Sequence, residues 1–356
     1  MKEYEFLPYR QPRLLRKKSP LWLHLFLFAF TFVTTMIAGT HWVMKNYLDL
    51  SNWHYGLTYA VLIMSFLTSH EMGHYIASKI HKVDASLPFF LPVPIPDLNP
   101  FGTFGAVIAT RSPITNRKAL FDIGIAGPLA GFVVSLLILI WGFTHLPAKE
   151  TIYQIHPEYL INYNGEIPQT GLHFGDNLLF YILSKIFANP NGWLPPMNEI
   201  YHYPFLCVGW FGLFVTVLNL LPFGQLDGGH ILFAMFGERQ WKIAKILWWA
   251  MVIFGLGSLL DSLLLLLEEV DYPASFYIWL QDNLAPFLKQ LKNTLPIWFN
   301  AWGGWLFWAI ITKIFIKLPH PYIPSNEPLG KIRFALGFFA ILILVLSFTP
   351  NGIYLK

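Results

Sequence analysis

Two histidines four residues apart with a glutamate between them, His70-Glu71-Met72-Gly73-His74, are the residues of this chain best suited to chemistry. In a helix, positions i and i+4 share a face, so both imidazoles can address one ion while Glu71 projects beside them toward a water. This is the H-E-x-x-H arrangement of a zinc hydrolase, with the glutamate as general base. For a chain with 12 His and 11 Glu, the pattern is expected by accident roughly 0.01 times. No third ligand follows closely; the next suitable one is Asp227.

Asp227 sits in a second informative stretch, Asn219-Leu220-Leu221-Pro222-Phe223-Gly224-Gln225-Leu226-Asp227-Gly228-Gly229-His230. Pro222 removes a backbone donor, and the glycines permit turns closed to other residues, so the backbone is expected to break here. Beside a divalent cation, a carboxylate in apolar surroundings is stabilised in its ionised form. It completes a two-His, one-carboxylate site with one position left for water. Asn219 has two readings: a donor to substrate or developing oxyanion, or a helix-end amide serving the backbone broken at Pro222. His230 stands behind the ligands or belongs to the loop. Asp122 reads as a helix residue near the start of its span and Asp261 as an outer-end polar contact, against a proton or substrate path. His24, His41, His54 and His81 share no spacing and are expected at interfaces.

The elements that must position these groups are membrane helices. Of 356 residues, 55% are hydrophobic, 17% aromatic and 12% charged, against about 25% charged in soluble domains. The composition implies an all-α polytopic membrane protein. Basic residues cluster near the ends of apolar segments rather than in a patch, which excludes a nucleic-acid partner. One cysteine, Cys207, excludes an internal disulfide framework and a cysteine-based zinc site. The first twenty residues hold six Lys or Arg, a basic tail that places the N-terminus on the cytoplasmic side of a retained first span over 21–40.

Further spans are expected at 55–80, 119–143, 205–221, 246–267, 298–316 and 334–349, with 275–296 as an interfacial helix; six to seven crossings result. The second returns inward and puts His70 about 15 residues, or roughly 22 Å, into a core about 30 Å thick, so the motif lies at membrane depth. The prolines of 87–96 exclude a helix, and 101–108 suits an extended or hairpin segment, which can dip into a membrane only if protein shields its backbone. That strand could hold an unwound substrate by edge pairing, or serve as a structural plug. In the third span Gly127 and Gly131 permit close helix contact. The least apolar stretch, 145–200, lies on the outer side as a connector or a lid and contains an amphipathic piece, Leu178 to Phe187. One membrane-embedded domain over 21–350 is expected, with its core at about 55–235 and C-terminal helices at about 240–350.

On H-E-x-x-H at 70–74, Asn219-x-x-Pro222-x-x-x-x-Asp227-Gly228-Gly229 and the Gly127-x-x-x-Gly131 spacing, the chain resembles the site-2 proteases, the intramembrane zinc metalloproteases. The resemblance covers about 55–235. It implies zinc (Zn2+) held by His70, His74 and Asp227, Glu71 as general base, and a membrane-protein substrate whose transmembrane helix unwinds at the scissile bond. Many site-2 proteases carry a PDZ or CBS domain, for which this chain shows no room; the Pro-rich approach and the Gly-Thr-Phe-Gly strand look closest to a bacterial and plastid branch. A bacterial inner membrane and a thylakoid or plastid membrane both fit, and the lack of a recognisable transit peptide favours the bacterial type. Two other classes stand beside it. A transporter or non-catalytic scaffold could use the same polar cluster, whereas a di-iron oxygenase lacks its repeated histidine boxes.

Overall fold

In a computed structural model, residues 18–269, 274–323 and 327–355 are described; the basic tail through Lys17, with Val270 and the acidic Asp271, lies outside them. The chain is mostly helical. The apolar run after Pro20 forms α1 (Leu21–Trp42), and a 3-10 turn leads into α2 (Leu57–Ile80). After the proline-rich stretch come β1 (Phe89–Pro92) and β2 (Thr103–Val107), then α3 (Arg117–Thr144). The segment after α3, expected on the outer side, holds α4 (Glu150–Ile155), α5 (Glu158–Asn162), β3 (Leu172–Phe174) and α6 (Leu178–Phe187). Next come α7 (Pro204–Leu220), α8 (Asp227–Phe236) and α9 (Arg239–Glu269), followed by α10 (Ser275–Thr294), α11 (Pro296–Phe299), α12 (Gly304–Ile311), α13 (Lys331–Ser347) and β4 (Ile353–Leu355).

Among the described residues three helices, α1, α3 and α9, are long and apolar enough to cross a membrane. The 24-residue α2 has the length but carries His70, Glu71, His74 and Lys79 on its last three turns. With 17 residues each, α7 and α13 rise about 26 Å, close to the thickness of a hydrocarbon core. The stretch 298–316, expected as one helix, is broken instead. A short α11 ends at Phe299, Gly303 and Gly304 introduce α12, and residues Thr312–Ile316 widen into a π-helical turn. Two adjacent glycines weaken a helix at that point.

Helix α3 is the hub. It packs against α2, α7 and α8 around a core that includes Phe66, Phe121, Phe143, Trp210 and Phe211, and Cys207 is fully buried there as a small apolar residue. The ends of three helices are tied by charge: Arg333 on α13 donates twice to Asp122 on α3, at 2.7 Å each, and His81 after α2 meets the same carboxylate at 2.8 Å. Asp122 is thus a tether, and His81 is its partner rather than an isolated interfacial residue. Asp261 pairs with Lys292 of α10 at 2.6 Å.

The hairpin is present: β1 and β2 pair antiparallel, with Phe89 opposite Val107, Phe90 opposite Ala106 and an irregularity before Pro92. It lies along α1. Thr34 Oγ1 donates to the Gly102 carbonyl at 2.7 Å, and His24 Nδ1 sits 3.0 Å from the Pro88 carbonyl. Gly102, at φ +75°, presses so closely on the α1 backbone at Thr34 and Thr35 that a Cβ would not fit. His24, expected at an interface, is buried. The polar backbone of the hairpin is therefore covered by protein on this side, which meets the condition set for a strand that dips into a membrane.

The outer segment is built rather than slack. β3 pairs antiparallel with β4, bringing the end of the described chain onto residues 172–174. Tyr159 donates to Glu199 Oε1 at 2.8 Å. Burial, reinforced by that carboxylate, holds its phenol far above the ordinary range, so it stays a donor.

Candidate active site

Helix α2 carries His70 and His74 on one face, and their Nε2 atoms stand 3.2 Å apart. The break in the chain after α7 supplies the third group. Leu221 and Pro222 end that helix, Gly224 takes φ +41°, and α8 restarts with Asp227 in its first turn. Asp227 places one carboxylate oxygen 3.4 Å from His70 Nε2 and the other 3.4 Å from His74 Nε2. Tetrahedral zinc with ligands at about 2.0–2.1 Å has ligand-to-ligand edges of about 3.3 Å. The two imidazole nitrogens, and each of them with one oxygen of Asp227, therefore stand at about the separations a shared ion requires.

The donor chemistry agrees. His74 Nδ1 lies 2.7 Å from the Ile123 carbonyl, an acceptor only, so that nitrogen carries the proton and Nε2 presents its lone pair to the ion. Three glycines of α3 make room for the rings. A Cβ at Gly127 would collide with the His74 imidazole; at Gly131 it would stand 3.2 Å from His70 Nδ1, and at Gly124 2.8 Å from the His230 Cβ. Residues 124, 127 and 131 share one face of a helix. The small-residue spacing is thus a trough for imidazoles as well as a helix contact. Gly73 completes the approach, since a Cβ there would meet the backbone of Ala126 on α3 at 2.5 Å.

Glu71, next to the first ligand, opens on the same cavity, of about 570 Å³. The Ile108 amide interacts with its carboxylate. Ala106, Val107 and Ile108 form one wall, while Asn219, His230, His320 and Pro321 line the rest. Among the described residues no third strand joins β1 and β2, so one edge of β2 is free of strand partners, and the end of β2 lines the cavity.

All five residues singled out from the sequence, His70, Glu71, His74, Asn219 and Asp227, thus line one cavity. Asn219 also keeps its second reading, since it lies one residue before the end of α7. His230 is on α8 rather than in a loop, with Nδ1 2.7 Å from Nε2 of His320. His320, between two prolines, has no spacing that could have announced it. A second cluster, His156, Glu199 and His202, also escaped the sequence reading; the Glu199-x-x-His202 spacing was its only trace.

Residues 58–258 match the family model of peptidase family M50. Among curated proteins, the chain is similar to the probable zinc metalloprotease EGY1, chloroplastic, of Oryza sativa subsp. japonica, at 32% identity over 73% of this chain and 39% of that protein. It is 31% identical to the protein of the same name from Arabidopsis thaliana, over 57% of this chain and 31% of that one. With the probable zinc metalloprotease EGY2, chloroplastic, of Oryza sativa subsp. indica it shares 26% identity over 76% and 44%. The chain spans less than half the length of these relatives. No solved structure matches it significantly.

Proposed function

The chain belongs to peptidase family M50, and from that premise we propose that it is an intramembrane zinc metalloendopeptidase hydrolysing peptide bonds within or near the transmembrane segments of membrane proteins. The observation that supports this best is the convergence, on a single cavity, of the His70, His74 and Asp227 triangle, the Glu71 carboxylate and a free strand edge.

His70, His74 and Asp227 hold the metal. Zinc, when bound, supplies Lewis acidity that polarises a carbonyl and brings the pKa of water toward about 7. Glu71 takes the proton from the attacking water and returns it to the leaving amine. Asn219 donates to the substrate carbonyl as charge develops on its oxygen. A helical peptide bond hides its carbonyl in the helix, so the substrate must unwind; residues 106–108 offer it backbone partners in extended form. This is the chemistry of regulated intramembrane proteolysis.

In this reading residues 21–350 form one membrane-embedded domain, with a core at about 55–235, and six to seven helices cross the bilayer, α2, α7 and α13 adding to α1, α3 and α9. The N-terminus is cytoplasmic, and the membrane is of bacterial or plastid type, as the chloroplastic relatives suggest. Reconstituted in liposomes with a single-span substrate, the protein should cleave it, and Glu71→Gln should stop cleavage while keeping its metal. Cleavage by Glu71→Gln at the wild-type rate would overturn the assignment of the base.

A further inference from the structure

The outer segment contains a second set of two imidazoles and a carboxylate. His156 ends α4, and Glu199 and His202 flank the short 3-10 turn that leads into α7. All three are buried, Glu199 at 1% exposure and His202 at 4%. The two Nε2 atoms face each other at 2.8 Å, and Glu199 Oε2 lies 3.5 Å from that of His202. One ligand atom from each residue falls within 4.8 Å of the other two.

The groups behind the rings decide how this cluster is read. His202 Nδ1 lies 2.9 Å from the Trp42 carbonyl at the end of α1, so it carries a proton and leaves Nε2 as a lone pair. His156 Nδ1 lies 2.6 Å from the Glu158 carboxylate, which likewise fixes its proton on that side. Two lone pairs then point at each other across 2.8 Å, which only a positive charge between them, a metal ion or a shared proton, reconciles. Glu199 Oε1 accepts from Tyr159 and Asn198, whereas Oε2 is buried with no hydrogen-bond partner among the described residues. An unpartnered carboxylate oxygen beside two imidazole lone pairs is the donor set of a zinc-class ion, with both rings oriented by acceptors behind them.

We propose that His156 Nε2, His202 Nε2 and Glu199 Oε2 bind a second divalent metal ion of the zinc class, separate from the one held by His70, His74 and Asp227. It has a structural role. It joins the end of α4 to the turn before α7, and through the Trp42 carbonyl it fixes that turn to the end of α1. The site owes nothing to the peptidase reading, and its test separates the two.

Full-length protein, purified in detergent and dialysed against buffer containing zinc alone, is assayed for bound metal by mass spectrometry. Wild type should hold about two ions per chain, and the double variant His70→Ala/His74→Ala about one. His202→Gln should also hold about one, and the three changes together none. One ion in wild type and none in His70→Ala/His74→Ala would overturn the outer site, and would mean that His156 and His202 share a proton instead. If His202→Gln fails to fold, the double variant still decides, because its changes lie in the other cluster. Equal metal in wild type and in His70→Ala/His74→Ala, with loss in His202→Gln, would support the outer site and count against the intramembrane one.

Discussion

The triangle on α2 and α8 and the one before α7 use the same donors, two imidazole nitrogens and one carboxylate, yet they differ in what lies on the open side. Asp227 keeps 15% of its side chain exposed toward a cavity that also admits Glu71, Asn219 and a strand edge. Glu199 keeps 1%, and the nearest further acid, Glu158, is engaged behind the His156 ring. Donor identity sets which ion is held; an adjacent base and room for a reactant decide whether anything happens to it. On the two proposals, the first site serves turnover and the second cohesion.

The largest effect should come from separating the base from the ligands. Glu71→Gln should lower cleavage of a single-span substrate by about 10²- to 10⁴-fold, the usual contribution of a general base, with metal content and unfolding temperature unchanged. Loss of metal together with activity would instead make Glu71 a ligand. Next comes the trough: Gly127→Ala drives a methyl into the His74 ring and should weaken metal affinity by about 10- to 100-fold, as disturbing a ligand's support commonly does. Gly131→Ala should do less, since its methyl would stand 3.2 Å from the His70 ring. Equilibrium dialysis of the two variants would rank them.

The outer site should answer in stability. His202→Gln should remove about 2–3 kcal/mol at zinc concentrations near 100 times the dissociation constant, read as a lowered unfolding temperature that a chelator lowers less than it lowers the wild type. Unchanged stability would deny the outer cluster its structural role. The smallest effect should follow Arg333→Gln. Its ion pair with Asp122 is about a third exposed at the arginine, so roughly 1 kcal/mol or less is expected, measurable only by thermal unfolding.

What the sequence showed and what it hid divide along the same line. His70, Glu71 and His74 were legible because one helix turn spaces them, and Asp227 because a proline and three glycines mark a break in an apolar run. The hairpin was visible through prolines that exclude helix. Concealed were the partners that only folding brings together. Trp42 and His202 are 160 positions apart, Asp122 and Arg333 are 211 apart, and β3 meets β4 through three residues each. No periodicity encodes such pairings. The break in 298–316 stayed hidden because the mean apolarity of the stretch outweighs two adjacent glycines, and 145–200 reads as a connector or a lid because its scattered polar residues look like solvent-facing loop until they are packed.

The trough on α3 has a consequence for genetics. Every amino acid except glycine carries a Cβ, and hydrogen alone fits at 124 and 127, while 131 leaves only a few tenths of an ångström. Any missense change at those codons therefore reaches a histidine side chain. A screen for inactive alleles, run without knowledge of the ligands, should return Gly127 nearly as often as His74 and should favour one face of a helix that contributes no side chain to the candidate metal site.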